Sequence, residues 1–298
     1  GKQDDLANGQ LVVRANLLLA FLLVGLVTPN VLVAQAQSST YDNLWQLAEW
    51  YGNQDNPVFQ SVLSSGRFQY EYATVNDSDV THEEWNVRRA RMGVRLDFLR
   101  QFRLHTEAEF NPQETDPFYM RLTDVYLQWR RSSALAVTAG KHAMLFTMDG
   151  STSSKELLTI DRSNLSNNLW FTQEYLPGIS VSGEIANWGY HLGMYSAGER
   201  NREFGHFNGS VSTLATISYN FAEALGADEA LLAGNYMYQN PNANNTFTRK
   251  LQHMTSVNFK LADSRWGVRT DVSVAAGHQG QSDLWGTMIM PFLNLTDE

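Results

Sequence analysis

The chain has 298 residues, of which 43% are hydrophobic and 18% charged, with 21 Gly, 7 Pro and no Cys. This composition excludes a collagen-like fibre and a disulfide framework, and it argues against disorder. The net charge of −9 argues against binding to a nucleic-acid backbone. A mean hydropathy of −0.33 excludes a polytopic bundle of apolar helices, but it is compatible with a membrane β-barrel, whose strands alternate apolar and polar residues.

The N-terminal segment has the pattern of a secretory signal peptide. Leu17–Val27 is continuously apolar, it follows Arg14, and the small residues of Ala34–Ala36 form a cleavage pattern before Gln37. This run is too short to cross a bilayer comfortably, although an uncleaved membrane anchor is the alternative. We therefore predict that residues 1–36 are a cleaved signal peptide and that the rest of the chain is exported.

After Gly66, apolar and polar residues alternate in runs of about 9 to 12 residues separated by turn signals. In the clearest run, Ala90 and Met92 lie on one face, and Arg89 and Arg91 on the other. Globular strands average about 5 to 6 residues, whereas a tilted membrane crossing takes about 9 to 11. The alternation predicts about 12 strands, at residues 67–74, 87–98, 102–110, 121–129, 134–142, 178–186, 188–196, 210–219, 231–239, 252–261, 266–277 and 284–290.

The predicted connections alternate in length, which is typical of an up-and-down barrel with short periplasmic turns and long external loops. The long connections are residues 75–86, 111–120, 143–177, 197–209 and 240–251. Aromatic residues near strand ends, where interfacial girdles require them, are Phe98, Phe102, Phe110, Trp129, Trp188, Tyr195 and Tyr219. We therefore predict an all-β fold, a transmembrane antiparallel up-and-down β-barrel over residues 66–298, behind a periplasmic lead-in over residues 37–65. The alternative is a soluble β-sandwich with the aromatic residues in its core.

Five short segments, in their order and spacing, resemble the phosphate-selective porins O and P of Gram-negative outer membranes. They are residues 87–94, 122–129, 139–142, 161–163 and 188–195, and the resemblance covers about residues 58–290. It implies a barrel of 16 strands that assembles as a homotrimer, an inward-folded third loop, and cationic side chains along an anion path. Because about 12 strands are visible and no aromatic residue closes the chain, we expect the barrel to be C-terminally truncated.

A series of arginines lies on one face of two neighbouring predicted strands. Arg89, Arg91 and Arg95 project from one strand, and we infer that Arg103 of the next strand shares their lumen face. Guanidinium groups suit phosphate-like anions because their donors can bind two oxygens while the charge persists at any pH. The residues predicted to line the anion path are Arg89, Arg91, Arg95, Arg103, His105 and Lys141, with the acidic residues Glu107, Glu109 and Asp124 beside them. The alternative is that the arginines pair with these carboxylates and with Asp97. The alternation does not decide whether the Lys141 side chain points into or out of the barrel.

The longest predicted connection, residues 143–177, is the third of the long connections. A loop of this length in a compact protein is usually functional or disordered. Its position predicts a constriction loop folded into the barrel, with simple surface exposure as the alternative. The charged candidates in this loop are Asp149, Lys155, Glu156, Asp161 and Arg162.

The chain has neither a G-x-S-x-G nor an H-E-x-x-H pattern, and its 7 His are scattered singly. We therefore predict no enzyme, no metal site and no cofactor. The predicted function is that of an outer-membrane porin for passive diffusion of small hydrophilic solutes, with a preference for anions such as phosphate as the finer hypothesis. Its predicted partners are membrane lipid, these solutes and two further copies of itself. The alternatives are a non-conducting structural barrel, an exported soluble carbohydrate-binding β-protein, and an outer-membrane hydrolase.

Overall fold

The computed structural model describes residues 48–76, 81–114, 116–153, 156–159, 161–169, 174–197, 203–204, 211–242 and 248–295. The predicted signal peptide, residues 1–36, and the first part of the predicted lead-in lie outside these ranges.

The described residues form one sheet of 13 strands, in which each strand pairs antiparallel with the next one along the chain. The strands are β1 (Glu49–Gly52), β2 (Phe59–Asn76), β3 (Thr81–Phe98), β4 (Phe102–Phe110), β5 (Tyr119–Ser132), β6 (Leu135–Met144), β7 (Glu174–Ile185), β8 (Trp188–Ser196), β9 (Val211–Asn220), β10 (Glu229–Gln239), β11 (Leu251–Asp263), β12 (Trp266–Gly277) and β13 (Leu284–Leu293). This topology confirms the prediction of an all-β, antiparallel up-and-down fold.

Helical structure within the described ranges is confined to short pieces in the connections. These are α1 (Met148–Ser151), a π-helical turn (Leu165–Leu169) and α2 (Ala222–Leu225). None of the described helices combines the length and the apolar character that a bilayer crossing needs.

The strands begin earlier and extend further than the alternation predicted. β1 and the first seven residues of β2 lie before Gly66, and β2 and β3 pair from Phe59 to Asn76, so that their connection is only residues 77–80 instead of 75–86. The sequence pattern predicts a β2 that is too short, because Ser64, Ser65 and Gly66 interrupt its apolar face. Backbone pairing with β3 overrides this weak local preference. Gly66 also permits close approach, since a Cβ there would lie 2.4 Å from the carbonyl oxygen of Arg91.

The two faces of the sheet carry different side chains. On one face large apolar side chains are exposed; examples are Leu104, Leu127, Ile179, Leu192, Ile217, Leu232, Val257, Val272 and Ile289. On the other face polar residues dominate, and on β12 the side chains of Asp271 and Ser273 are buried there. We call the first the outer face and the second the inner face. A membrane-spanning barrel has this distribution, with an apolar band toward lipid and a polar interior.

The sheet curls around the connection between β6 and β7, residues 145–173. Asp161 of this connection pairs with Arg88 on β3, and the backbone N–H of Met148 donates to Oδ2 of Asp271 on β12 at 2.7 Å. The connection doubles back between these two points. In a flat sheet β3 and β12 would be nine strand spacings apart, roughly 43 Å. The strands therefore enclose the connection, which we call the inward loop.

Aromatic rings gather at both ends of the strands. The ring pairs Phe98–Phe102 and Trp188–Tyr219 lie near the short turns, with centroids 5.6 and 4.8 Å apart; Tyr72–Trp85 and Phe110–Phe118 lie near the opposite ends, with centroids 4.5 and 5.4 Å apart. Phe102 and Phe110, at the two ends of β4, are roughly 27 Å apart along the strand. This spacing suits an apolar band about 25 Å tall.

Tyr195 does not belong to these belts, so its prediction as a girdle residue is wrong. It alternates with the outer-face residue Met194 and is only 1% exposed on the inner side, where its hydroxyl contacts Nε2 of His191 at 3.1 Å. Like the girdle residues, Tyr195 lies near the end of its strand. Its side chain, however, points to the inner face of the sheet.

The outer face provides a direct test of membrane insertion. Val272, in the middle of β12, and Leu225, in α2, are 55% and 60% exposed. Val272→Arg should destabilise the folded protein by about 2–4 kcal/mol in lipid, because its charge would enter hydrocarbon, whereas Leu225→Arg outside the strands should cost about 1 kcal/mol or less. Urea unfolding in lipid vesicles measures both, and equal small effects would contradict a lipid-facing β12.

Candidate functional site

The inward loop packs against the inner face of one side of the sheet. Three of its side chains, Phe146, Met148 and Leu165, are at most 5% exposed. They join a buried apolar cluster with inner-face residues of β6 to β13, namely Met144, Leu176, Tyr195, Leu214, Met237, Leu251, Met254, Ala275 and Met288. The π-helical turn contacts β13, and α1 contacts β12. This packing positions the rest of the loop across the lumen.

Arg162 holds the inward loop together from within. Its Nε donates to the carbonyl oxygen of Asp149 at 2.7 Å, and its Nη2 donates to the carbonyl oxygen of Thr152 at 2.8 Å. The Asp149 carboxylate in turn accepts from the N–H of Ser163 at 2.8 Å. Arg162 and Asp149 are 6% and 2% exposed. Both residues were predicted as charges at a constriction, and the contacts described give them a role in loop structure.

Asp161 is the contact between the inward loop and β3. Its carboxylate accepts from Nη2 of Arg88 and from the N–H of Arg162. Burial alone would raise the pKa of Asp161, but hydrogen bonds from Asn167 and Arg162 and the charge of Arg88 outweigh burial and hold this pKa below its usual value. The contact is therefore charged at neutral pH and is lost as the pH falls through that lowered pKa.

The other predicted loop residues lie outside this network or outside the described ranges. Glu156 is exposed, and its carbonyl oxygen accepts from Nη1 of Arg269 at 3.4 Å. Lys155 falls outside the described residues.

Arg91 lies at the centre of an ion-pair cluster on the inner face. Its Nε is 3.1 Å from Oε1 of Glu109, and the same carboxylate binds Nε of Arg121 at 2.7 Å through its other oxygen. The Arg91 Nη1 also donates to the hydroxyl of Tyr175 at 2.7 Å, and the guanidinium lies 5.2 Å from the centre of that ring. Arg91 is only 7% exposed. Arg91 is therefore held mainly by the Glu109 carboxylate and the Tyr175 ring.

A second cluster surrounds Asp97 nearer the short turns. Arg103 binds this carboxylate through two nitrogens, at 2.7 and 2.9 Å, and Nη2 of Arg130 contacts it at 3.1 Å. Arg103 is therefore charge-compensated, as the alternative of structural pairing anticipated.

Arg89 and Arg95 differ from Arg91 and Arg103, because within the described ranges neither forms an ion pair. Nη1 of Arg89 donates to the neutral amide oxygen of Gln69 at 2.7 Å. Nε of Arg95 is buried and has no hydrogen-bond partner among the described residues. Within the described ranges, no carboxylate compensates the charge of these two guanidinium groups.

Arg88 lies beside Arg89 on β3 and pairs with carboxylates, but it is not among the residues that the sequence pattern predicted. A β-bulge between Gln69 and Tyr70 leaves Arg88 without a Cα partner on β2, which takes it out of the two-residue alternation. Its neighbours include Glu71, 3.4 Å away, and Asp161. A pattern of side chains that repeats every two residues therefore does not identify Arg88.

The remaining predicted residues surround these clusters. Nε2 of His105 contacts the hydroxyl of Ser65 at 3.0 Å, and Glu107 lies 4.0 Å from Arg91 and is the β4 partner of Asp124. Lys141 is 1% exposed, and its Nζ donates to the carbonyl oxygen of Glu203 in the connection after β8. Because the Lys141 side chain is buried and held by a backbone carbonyl, its contact is more directly structural than part of an open solute path.

Sequence reasoning missed Tyr175 and Asp271. Tyr175, the second residue of β7, binds Arg91 on β3, whereas Asp271 binds the inward loop by accepting from Met148 and also accepts from the hydroxyls of Ser256 and Ser273 at 2.9 and 2.6 Å. The alternation on β12 marks Asp271 as an inner-face residue, but no local pattern identifies its partner 123 residues away.

Glu109 is the residue whose loss should disturb the Arg91 cluster most. Glu109→Gln should lower the free energy of unfolding by about 3 kcal/mol, because Arg91 and Arg121 would lose their shared carboxylate in a largely buried position. Urea unfolding in lipid vesicles measures this change. Glu114→Gln, on an exposed residue of the next connection, is the matched control and should change stability by about 0.5 kcal/mol or less. Equal effects of the two variants would contradict the importance of the cluster.

Comparison with known proteins agrees with the geometry of an enclosed sheet with a charged interior. No curated protein sequence matches the chain. The family model of the phosphate-selective porins O and P matches residues 62–277, which are 216 of the 298 residues. The chain therefore belongs to the phosphate-selective porin O and P family, a family of channels and not of enzymes, and is an outer-membrane porin.

Proposed function

We propose that this porin passes small hydrophilic solutes by passive diffusion and prefers anions, phosphate among them. The observation that carries the proposal is the gathering of arginines around Arg89. Arg91 lies two residues further along the same strand, Arg67 is the β2 partner of Arg91, and Arg88 binds Asp161 of the inward loop, next to Arg162. Positive groups accumulate in this way on β2, β3 and the inward loop.

Confinement strengthens the effect of these charges on a permeating ion. A charge in a narrow lumen with low-dielectric walls acts more strongly than the same charge on an open surface. Planar guanidinium groups can also offer two donors to two oxygens of one oxyanion. Arg89 and Arg95 are the residues that we propose for anion selection, because nearby carboxylates compensate Arg91 and Arg103.

The net charge of −9 does not oppose this preference. Many acidic side chains are exposed in connections or near strand ends, away from Arg89. They include Asp55, Glu83, Glu84, Glu114, Asp116, Glu156, Glu184, Glu223, Asp228 and Asp283. Negative charges at these positions contribute to the total charge without neutralising the lumen arginines.

Two further proposals concern export and assembly. We propose that residues 1–36 direct export and are removed, which is supported by the apolar run and the small residues before Gln37. We propose a homotrimer as the assembly, which is supported by family membership.

Single-channel recording in planar bilayers under a KCl gradient tests anion selection. The native protein should give conductance steps, and its reversal potential should be displaced from zero toward the equilibrium potential of chloride. Arg89→Ala and Arg95→Ala should each lower the chloride-to-potassium permeability ratio by at least about twofold, and the double variant should lower it further, because each removes an uncompensated lumen charge.

Arg131→Ala is the matched control, since Arg131 is exposed at the turn end of β5. It removes the same charge outside the proposed path and should leave the permeability ratio unchanged. Steps with an unchanged ratio in the double variant would contradict the roles of Arg89 and Arg95. A correctly folded, inserted protein without steps would favour a non-conducting barrel.

A further inference from the structure

We infer that basic residues on the outside of the barrel bind the phosphate groups of the glycolipid in the outer leaflet of the membrane. These residues are Lys250, His253 and His278, at the ends of β11 and β12 on the side of the barrel that carries the long connections. We call them the basic rim. They lie toward the lipid and not in the lumen, so this site is separate from the proposed solute path.

A β-bulge in β11 changes which residues share a face. Leu251 pairs with Gly277 and His253 pairs with Ala276, which leaves Gln252 without a Cα partner on β12. In an uninterrupted strand, Leu251 and His253 would point to the same face. Because of the extra residue, Leu251 is fully buried on the inner face, whereas His253 is exposed on the outer face.

Lys250 and His278 extend the outer face by one further residue pair. The N–H of His278 donates to the carbonyl oxygen of Lys250 at 3.0 Å, just beyond the pair of Leu251 and Gly277. Because Leu251 points inward, alternation directs Lys250 and His278 outward. Lys250 is exposed, and it forms no ion pair with a described carboxylate. The bulge therefore places three basic side chains on one lipid-facing surface.

The outer face below the basic rim is layered like one leaflet of a bilayer. Val272 and Val274 of β12 are 55% and 51% exposed and lie in the apolar band. Further toward the long connections, the rings of Tyr236 and Tyr238 have centroids 6.2 and 5.2 Å from that of His253. Aromatic rings of this kind lie at the level of lipid headgroups. The basic rim begins at these rings and is therefore at the depth of lipid phosphates.

The Tyr236 hydroxyl holds the His253 ring in place. Its oxygen lies 2.8 Å from Nδ1 of His253. When the hydroxyl donates this hydrogen bond, the proton of the neutral ring is on Nε2, which then serves as a donor to a phosphate oxygen. The Lys250 ammonium supplies a positive charge and three donors, and charge-assisted hydrogen bonds to phosphate are strong.

The backbone beside Lys250 is fixed before any ligand binds. The carbonyl oxygen of Arg249 accepts from the N–H of Leu251 at 2.7 Å and from Nε2 of Gln239 at 3.3 Å. Gln239 is fully buried. A group that is already held in position loses less conformational entropy on binding. Arg249 is also exposed and adds a second positive charge next to Lys250.

The charge of the basic rim differs from that of other connections on the same side of the barrel. Exposed carboxylates lie at the beginning of β3 and after β4, namely Glu83, Glu84 and Glu114. Near the basic rim, the Asp283 carboxylate accepts the N–H of Gly277 at 2.9 Å. Long connections of outer-membrane barrels face the outside, where the leaflet carries phosphorylated glycolipid. Basic residues at headgroup depth complement such a lipid.

Native mass spectrometry of the detergent-purified full chain tests this site, because it measures bound lipid and oligomeric state together. The two probes are hexa-acylated diphosphoryl lipid A and the same lipid without its phosphates. The native protein should bind the phosphorylated lipid at least about tenfold more tightly, because several basic groups contact the phosphates. A heat-dependent shift in electrophoretic mobility checks that each variant is folded.

Three variants locate the site. Lys250→Glu should weaken binding of the phosphorylated lipid at least about fivefold, because a negative charge replaces a positive one at the phosphate. His253→Phe keeps a ring at this depth and removes a donor, so it should weaken binding about threefold. Arg131→Glu is the matched control on an exposed residue at the opposite end of the barrel, and it should change binding less than about twofold.

Equal affinity of the native protein for the two lipids would overturn the inference, as would equal effects of Lys250→Glu and Arg131→Glu. Displacement of the lipid by an equal concentration of inorganic phosphate would also overturn it, because the basic rim would then be a site for the free anion. A Lys250→Glu protein with fewer subunits and unchanged lipid binding would identify a contact between copies of the chain instead. A protein that binds lipid A but gives no current steps would overturn the porin function alone.

Discussion

The structure depends on the requirement that backbone groups within a membrane form their hydrogen bonds inside the protein. The chain meets this requirement with neighbouring antiparallel strands, from β1 to β13 without a crossover. Because side chains alternate across each strand, the same ladder assigns one face to lipid and the other to the interior. The apolar outer face, the aromatic belts and the charged inner face all follow from this alternation.

One long connection enters the interior. The inward loop binds β12 through Asp271 and β3 through Arg88, and its apolar residues pack on the strands between β6 and β13. Partly exposed charged residues on the inner face of β3 and β4 include Arg89, Arg95 and Arg103. The proposed anion path follows Arg89 and Arg95.

Charge compensation distinguishes arginines that look equivalent along the strand. Arg91 and Arg103 pair with Glu109 and Asp97, whereas Arg89 donates to a neutral amide. A compensated guanidinium stabilises the wall and contributes little net field. The lumen therefore combines structural ion pairs with arginines that no described carboxylate compensates, and the latter are the ones that we propose for anion selection.

The sequence by itself determined the strand alternation, the up-and-down order, the long third loop and the face on which Arg89 to Arg103 lie, because these depend on a two-residue period and on turn spacing. It did not predict β1 or the full length of β2, where backbone pairing outweighs local preference. Only the tertiary structure decided which arginines are compensated, that Arg88 at a bulge pairs with Asp161, that Tyr175 binds Arg91, and that Asp271 holds the inward loop. Those contacts join residues that are far apart in the chain. The curvature of the sheet brings them together, and no local sequence pattern predicts which residues will meet.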